Sequence, residues 1–325
     1  MKDSMIPQRK AFAEGLLAIA DSFPGMVALD PDVGPSTQLS LFGSKYPDRF
    51  FSTGIAEQNT IGMAAGMAAE GLIPWVSAFA VFLVHRSGDQ IRNSVAHPGA
   101  NVKLNGTYAG LPTGRAGATH SSFEDLSIMR SLPNMTIFEP ADAAETLWFT
   151  RMATEMEGPV YLRTVRCEIP GIFDENHRPA FGKAVPLKSG TDITLVASGM
   201  MTARVLAAAS LLARQGISAD VLHYPVIKPF DNESLAASAA KTGLVLTVEN
   251  HSIIGGLGSA VCESLAETCP CQVTRLGYQD VFLESGDDEI LFDHYGLTAP
   301  RIAEAAVKFL KEKKGGRPDK SIGLV

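Results

Sequence analysis

The feature that most constrains this fold is an alternation of short apolar runs with segments of helical spacing. The alternation runs through most of the chain and is clearest in its first half. Buried strands are predicted at "GMVALD", "IPWVSAFAVFL", "NVKLNG", "MTIFEP" and "PVYLRT". Parallel strands need long crossover connections, which are usually helices. Strands separated by helices therefore predict a parallel sheet with helices on both faces.

The alternation is interrupted once, between Arg166 and Gly190, by a segment rich in proline, glycine and charge. This segment has no clear period, and strand and helix patterns resume after Thr191. A chain of 325 residues with 46% hydrophobic content is long enough for two cores. The sequence therefore predicts two α/β domains at residues 1–170 and 191–312, a linker at 171–190 and a flexible tail at 313–325.

Composition excludes several classes of function. The formal net charge of -7 implies no general affinity for nucleic acid. No apolar run reaches the roughly 18–20 residues that span a bilayer, and the first residues lack an apolar signal core, so we expect a cytoplasmic protein with no membrane partner. The 4 cysteines form no C-x-x-C pair and match no zinc spacing, so no metal site is expected in this chain.

A lone glutamate, Glu57, stands at the front of the small, apolar helix predicted within "STGIAEQNTIGMAAGMAAEG". A carboxylate in the first helical turn gains about 0.3–1 kcal/mol from the helix dipole, which is one explanation. Proton chemistry at this carboxyl group is the other. The local sequence leaves both open.

Several stretches occur in the same order as in the C-terminal half of transketolases. The first domain contains "DPDVGPST", "FFSTGIAEQNTIGMAAGMA", "SAFAVFLVHRSGDQIRNSVA", "GATH", "MRSLPNMTIFEPADAAET" and "GPVYLRT"; the second contains "IKPFD", "VENHSIIGGLGSAV" and "FDHYGLT". The chain thus resembles the second subunit of a split bacterial transketolase over nearly its whole length. The resemblance implies a thiamin diphosphate-binding (pyrimidine module) fold followed by a transketolase C-terminal-like α/β domain.

The resemblance also implies a partner. Transketolases hold the diphosphate of thiamine diphosphate and a divalent metal through a G-D-G motif, and this sequence has no G-D-G. We therefore expect a separate N-terminal, diphosphate-binding transketolase subunit that carries Mg²⁺ or Ca²⁺. Because the family's sites lie between chains, an α2β2 heterotetramer is expected, and this subunit alone should be inactive.

Three blocks supply the residues expected at the pyrimidine end of thiamine diphosphate. Glu57 in "GIAEQN" matches the family's catalytic glutamate, whose carboxyl group hydrogen-bonds to a nitrogen of the pyrimidine ring. Phe79 and Phe82 match an aromatic wall, although core packing would explain both. His85 falls where some members have a tyrosine, and it could equally be a histidine at a helix start. Asp32 in "DPDVGPST" is also placed at the cofactor site.

The substrate residues come from the same resemblance. Arg9, Ser36 and Arg163 match a phosphate-binding cluster, with Arg166 as the alternative to Arg163 because the alignment could slip at the strand end. His120 in "GATH" matches a histidine that hydrogen-bonds the sugar and is expected to act in catalysis.

Two departures from the family fall in the loop "NGTYAGLPTGRAGATHSS". Tyr108 replaces a histidine, and Arg115-Ala116 replaces a Glu-Asp pair whose aspartate contacts a sugar hydroxyl. An alanine leaves that hydroxyl unpaired, at about 1–3 kcal/mol. Tyr108 and Arg115 are therefore expected at the substrate of an atypical reaction. Arg115 could meet an anionic group of a modified or branched sugar, or of an acceptor that carries its own charge.

The activity implied is transfer of a two-carbon ketol unit from a ketose to an aldehyde, in carbohydrate metabolism. The β subunit of a 2-oxo acid dehydrogenase is an alternative, because it shares the architecture and the glutamate. A non-catalytic paralogue that only binds a partner is another. Retention of His120 and of the arginine cluster favours a sugar phosphate, and the intact Glu57 and Phe79 favour an enzyme.

Overall fold

The computed structural model describes residues 5–314. In the first half of the chain the strands are β1 (Met5–Pro7), β2 (Met26–Asp30), β3 (Phe50–Ser52), β4 (Ile73–Phe79), β5 (Lys103–Thr107), β6 (Thr136–Phe138) and β7 (Val160–Arg163). The helices are α1 (Gln8–Ile19), α2 (Gly34–Thr37), α3 (Ser40–Lys45), α4 (Glu57–Ala69), α5 (Ala80–Arg86), α6 (Gly88–Gln90), α7 (Asp125–Ser131) and α8 (Ala143–Glu155). A π-helical segment, Ile91–Ala96, continues α6, and 3₁₀ turns lie at Pro47–Arg49 and Gly114–Ala116.

The second half of the chain follows the same alternation. Its strands are β8 (Glu168–Pro170), β9 (Val185–Lys188), β10 (Ile193–Ala197), β11 (Ala219–His223), β12 (Val226–Lys228), β13 (Leu244–Ser252) and β14 (Gln272–Tyr278). Its helices are α9 (Met201–Ala213), α10 (Asn232–Thr242), α11 (Leu257–Thr268), α12 (Asp288–His294) and α13 (Ala299–Lys314). None of the helices within residues 5–314 combines the length and the apolarity needed to cross a membrane.

Two sheets organise the molecule. The first domain is built on a seven-stranded sheet in the order β12-β6-β7-β5-β4-β2-β3, in which every pair is parallel except β12 with β6. The second domain is built on a five-stranded sheet in the order β14-β13-β10-β11-β9, parallel except for β9. The two-domain α/β fold predicted from the alternation is confirmed.

The central strands of the first sheet are buried on both faces, as the apolar runs predict. Successive side chains of a strand point to opposite faces. On β4, Val76 joins the core on one face with Leu29 and Leu104, whereas Trp75 joins Phe12 on the other. Packed side chains therefore cover both faces of the sheet.

Two predicted boundaries are corrected by the structure. The predicted linker at 171–190 contains β9, which pairs antiparallel with β11 at the edge of the second sheet. An edge strand tolerates a proline such as Pro186 and need not be apolar, so it lacks the pattern of a central strand. The predicted tail at 313–325 begins inside α13, which runs to Lys314; the remainder of that tail lies outside the described residues.

The carboxyl ends of the parallel strands meet at one edge of the first sheet. There β2 leads into α2, β3 leads into α4, β4 leads into α5, and β5 leads into a long loop. We call residues 108–122 the site loop. These four connections carry most of the residues that the sequence singles out.

Candidate functional site

The connection after β2 is held by a buried carboxylate. Asp30 accepts hydrogen bonds from the backbone N–H groups of Val33 and Gly34, both at 2.9 Å. A Cβ at Gly34 would lie 2.7 Å from Asp30 Oδ2, so the close approach requires glycine. Burial raises the pKa of Asp30 even though the two backbone bonds oppose it. The connection presents half-buried Ser36, while Asp32 is exposed on it with φ 64°.

Glu57 is the first residue of α4 and is only 5% exposed. Its carboxylate accepts a hydrogen bond from Arg86 Nη1 at 2.6 Å. The Arg86 side chain is 46% exposed, and its guanidinium carbon lies 4.1 Å from the centre of the Phe82 ring. One planar cation therefore contacts both the carboxylate and an aromatic face.

Four rings from β4, α5 and the site loop lie together beside this pair. The Phe79 and Phe82 rings are stacked, with centroids 5.4 Å apart, and Tyr108 stacks on Phe79 at 3.8 Å. His120 meets Phe82 edge-on at 5.3 Å. Phe79 is 9% exposed because Tyr108 covers it, whereas Phe82 is only half-buried. Phe82 is thus the more accessible aromatic surface beside Glu57.

His85 lies at the margin of this group. It is exposed, and its Nε2 forms a short hydrogen bond with the carboxylate of Glu124, which raises the pKa of His85. Glu124 also accepts a hydrogen bond from the backbone N–H of Phe123 at 2.7 Å. The structure therefore joins His85 to the start of α7.

A basic cluster surrounds Tyr108. Arg9 Nη1 donates to the backbone oxygen of Ser36 at 2.7 Å and to the Tyr108 hydroxyl at 3.0 Å. The exposed Arg166 places its guanidinium carbon 5.7 Å from the centre of the same ring. Arg115 is exposed on the 3₁₀ turn of the site loop. The structure thus brings together Arg9, Ser36, Tyr108 and Arg166.

The prediction that Arg163 binds a substrate phosphate is wrong. Its guanidinium is 1% exposed and donates to Asp125 at 2.8 Å, to Glu139 at 2.6 Å and to the backbone oxygen of Asn250 at 3.0 Å. Burial alone would lower the pKa of Arg163, but the two carboxylates hold it above its usual value. Arg166, beyond the strand end, is the arginine that reaches the basic cluster.

Sequence reasoning missed two residues. Arg86 follows Phe82 by four positions on α5, so helical periodicity places both on one face, and that spacing could have revealed the contact. Asn250 belongs to the second domain, and its side chain accepts a hydrogen bond from the backbone N–H of Leu111 in the site loop. No local sequence pattern indicates that contact, because 139 positions separate the two residues.

Comparison with known proteins accounts for both domains. Residues 4–171 match the family described as "Transketolase, pyrimidine binding domain", and residues 182–302 match "Transketolase, C-terminal domain". The chain is 43% identical over 305 residues to the 6-deoxy-6-sulfo-D-fructose transketolase subunit SqwH of Clostridium sp. (strain MSTE9), covering 94% of this chain and 95% of that one. It is 36% identical to one of the subunits of the apulose-4-phosphate transketolase of Phocaeicola vulgatus, covering 96% of this chain and 100% of that one.

A solved structure shares the whole architecture. It is described as a split gene transketolase in an inactive β4 tetramer, is 44% identical, and superimposes with a TM-score of 0.87 over 95% of this chain and 99% of its own. The resemblance predicted from the ordered sequence blocks is therefore confirmed. This chain belongs to the transketolase family, as the kind of subunit that carries the pyrimidine-binding and C-terminal domains of a divided enzyme.

Proposed function

We propose that this chain is the pyrimidine-binding subunit of a thiamine diphosphate-dependent transketolase, active in an α2β2 assembly with a diphosphate-binding partner subunit. The enzyme transfers a two-carbon ketol unit from an anionic ketose to an aldehyde. One observation carries this proposal: the nearly buried carboxylate of Glu57 lies beside the accessible Phe82 ring at the carboxyl edge of the first sheet. The partner is proposed to hold Mg²⁺ or Ca²⁺ with the diphosphate.

The residues present fit the pyrimidine end of the cofactor. An aminopyrimidine is flat, carries ring nitrogens and stacks on aromatic faces. The guanidinium of Arg86 already makes contacts of this kind, since it is flat, lies 4.1 Å from the Phe82 centroid and donates an N–H to Glu57. Arg86 is half-exposed and can turn towards solvent, which would release the carboxylate and the ring together.

Each side chain then has a distinct task. When bound, thiamine diphosphate supplies the nucleophilic carbon that takes up the two-carbon unit. Glu57 hydrogen-bonds to a pyrimidine nitrogen and holds a proton at that atom. Phe82 orients the ring by stacking, and Phe79 supports Phe82. His120 hydrogen-bonds the sugar.

The remaining predicted residues border the same site. We assign His85 and Asp32 to the outer margin of the cofactor site, because both are exposed on connections that leave the carboxyl edge of the sheet. Arg115 is also exposed, on the turn between Tyr108 and His120. It is proposed to approach a polar or charged group of the substrate.

The basic cluster supports a donor that ends in a tetrahedral anion. Guanidinium groups bind phosphate or sulfonate oxygens through paired N–H donors. Arg9 and Arg166 both contact Tyr108, and Arg9 also holds Ser36. The names of the relatives point to sugars of this kind, one sulfonated and one phosphorylated. We propose an atypical ketose phosphate or its sulfonate counterpart as the donor.

The test is ketol transfer by the complex reconstituted with its partner subunit. Donors should include 6-deoxy-6-sulfofructose, apulose 4-phosphate and xylulose 5-phosphate. We expect one of the first two to give the highest kcat/KM. A wide margin for xylulose 5-phosphate would refute an atypical donor. Release of carbon dioxide from pyruvate without ketol transfer would identify a 2-oxo acid dehydrogenase subunit.

A pair of variants tests the role of Glu57. Glu57→Gln keeps the size of the side chain but cannot exchange a proton with the pyrimidine, so turnover should be abolished. Glu70→Gln, at the exposed C-terminal end of the same helix, is the matched control and should keep full activity. Unchanged turnover in Glu57→Gln would refute the catalytic assignment.

A further inference from the structure

The site loop is held by an amide side chain from the second domain. Asn250 on β13 is 2% exposed, and its Oδ1 accepts a hydrogen bond from Leu111 N–H at 2.9 Å. Its Nδ2 donates to the backbone oxygens of Ala109 and Leu111, each at 3.3 Å. A single side chain thus bonds three main-chain groups of the loop, in the manner of a neighbouring strand.

Gly110 lets the backbone of the site loop approach the Asn250 amide closely. Gly110 adopts φ 67°, which disfavours any residue with a Cβ. A Cβ at Gly110 would lie 2.2 Å from Asn250 Oδ1 and 2.4 Å from Nδ2. The backbone of the loop therefore lies against the amide with no room for a side chain, and the position of Asn250 determines the position of Gly110.

Asn250 is itself held on two sides. The Tyr278 hydroxyl donates to its Oδ1, and Arg163 donates to its backbone oxygen at 3.0 Å. Arg163 is bound in turn by the buried carboxylates of Asp125 and Glu139. This buried network spans both domains, so it fixes the amide relative to the first sheet.

Both ends of the loop depend on the anchored segment. Tyr108 directly precedes it and has φ 59°, a conformation that a tyrosine keeps only when its surroundings impose it. Gly110 N–H donates to Ser122 O, and Ala109 forms a β-bridge with Ser122. Ser122 lies two residues after His120. The contact of Asn250 with residues 109–111 therefore positions both Tyr108 and His120, which pack against Phe79 and Phe82.

We propose that Asn250 is a positioning residue for substrate recognition, through which the second domain sets the placement of Tyr108 and His120. The inference rests on the proposed function, since His120 is assigned to the sugar and Tyr108 contacts the arginines proposed to bind the donor's anionic group. Asn250 itself does not touch the basic cluster or Glu57. Its loss should therefore weaken sugar binding while leaving the cofactor bound.

The experiment compares Asn250→Ala and Asn250→Asp with the wild type. Asn250→Ala removes all three loop contacts, and Asn250→Asp keeps the acceptor for Leu111 but loses both donors. Ser127→Ala is the matched control, because its hydroxyl also crosses between domains but bonds Ile254 instead of the site loop. Gly110→Ala disturbs the same contact from the loop side and serves if the Asn250 variants fold poorly.

Two readouts separate positioning from a general loss of structure. In the reconstituted complex, Asn250→Ala should raise KM for the donor about 10- to 100-fold, with the dissociation constant of thiamine diphosphate within about twofold of wild type. Asn250→Asp should raise KM at least as much, because its second carboxylate oxygen would face the backbone oxygens of Ala109 and Leu111. In the isolated full-length subunit, amide hydrogen exchange should accelerate in residues 109–122 and not in β5. Ser127→Ala should change neither.

The outcomes are distinct. Unchanged exchange in residues 109–122, or a fall in kcat with KM unchanged, would overturn the positioning role. A wild-type complex without ketol transfer would refute the proposed function instead. The exchange measurement needs no activity, so it still decides whether Asn250 holds the loop.

Discussion

Replacing Arg86 by alanine should make the reconstituted enzyme bind thiamine diphosphate more tightly. The Arg86 guanidinium holds Glu57 at 2.6 Å and covers Phe82. Under the proposed function the pyrimidine binds to these two side chains, so cofactor binding must first break both contacts. A variant without the guanidinium has no such contacts to break, so it binds the cofactor without that free-energy cost. Arg92→Ala, which removes another exposed arginine just beyond α6, is the matched control.

The expected gain in cofactor affinity depends on how exposed the Arg86 side chain is. A hydrogen bond between charged groups contributes about 1.5–3 kcal/mol when it is buried. Arg86 is 46% exposed, so water replaces much of what it loses, and measured pairs at surfaces contribute about 0.2–1 kcal/mol. The contact with Phe82 adds about 0.5–1 kcal/mol. The sum is about 0.7–2 kcal/mol, which corresponds to a dissociation constant about 3- to 30-fold lower.

The assay is calorimetric titration of the cofactor into the complex with saturating Mg²⁺. Salt screens the attraction between Arg86 and Glu57. The difference in the dissociation constant of thiamine diphosphate between wild type and variant should therefore become smaller towards about 1 M salt, where the Debye length is about 3 Å. Equal or weaker binding by Arg86→Ala would refute the reasoning. It would mean that Arg86 stays on Glu57, or contacts the cofactor, in the loaded enzyme.

Three further predictions concern the surrounding structure. Arg166→Ala should raise KM for an anionic donor and leave urea unfolding unchanged, whereas Arg163→Ala should lower the free energy of unfolding by about 3–5 kcal/mol because it leaves two buried carboxylates unpaired; the reverse pattern would restore Arg163 as the substrate residue. Gly34→Ala should cost about 1–3 kcal/mol in urea unfolding, since its Cβ would lie 2.7 Å from Asp30 Oδ2, and a neutral result would show that the loop can shift freely. Burial raises the pKa of Glu249 to about 8 from an ordinary 4.5, so the folded chain holds that proton more tightly than the unfolded chain. The stability that this proton supplies is present below pH 4.5 and is lost as pH rises through 8. Glu249→Gln should therefore flatten the decline measured by urea unfolding, and an unchanged decline would assign it to another group.

Local pattern was enough for the architecture. The two faces of β4 follow from alternation alone, because successive side chains such as Trp75 and Val76 must point to opposite sides of a strand. The ordered sequence blocks were enough to identify the family. The predicted start of α4 at Glu57 agrees with the helix observed. These features depend on residues that are neighbours along the chain.

The edge strand β9 and the two arginines of β7 and its end are features that local sequence pattern could not predict. A strand at a sheet edge, such as β9, is defined by its pairing partner and not by its own apolar content. Arg163 and Arg166 are three positions apart at the end of β7, and only the packing of Asp125 and Glu139 decides which one is buried.

The sequence by itself determined the fold class, the two domains, the family and the one carboxylate at the head of α4, because each depends on local spacing or on ordered motifs. Only the tertiary structure decided that Arg86 covers that carboxylate, that Arg166 and not Arg163 faces the basic cluster, and that Asn250 holds the site loop. Those contacts join residues from different elements, and their distances are set by how those elements pack together.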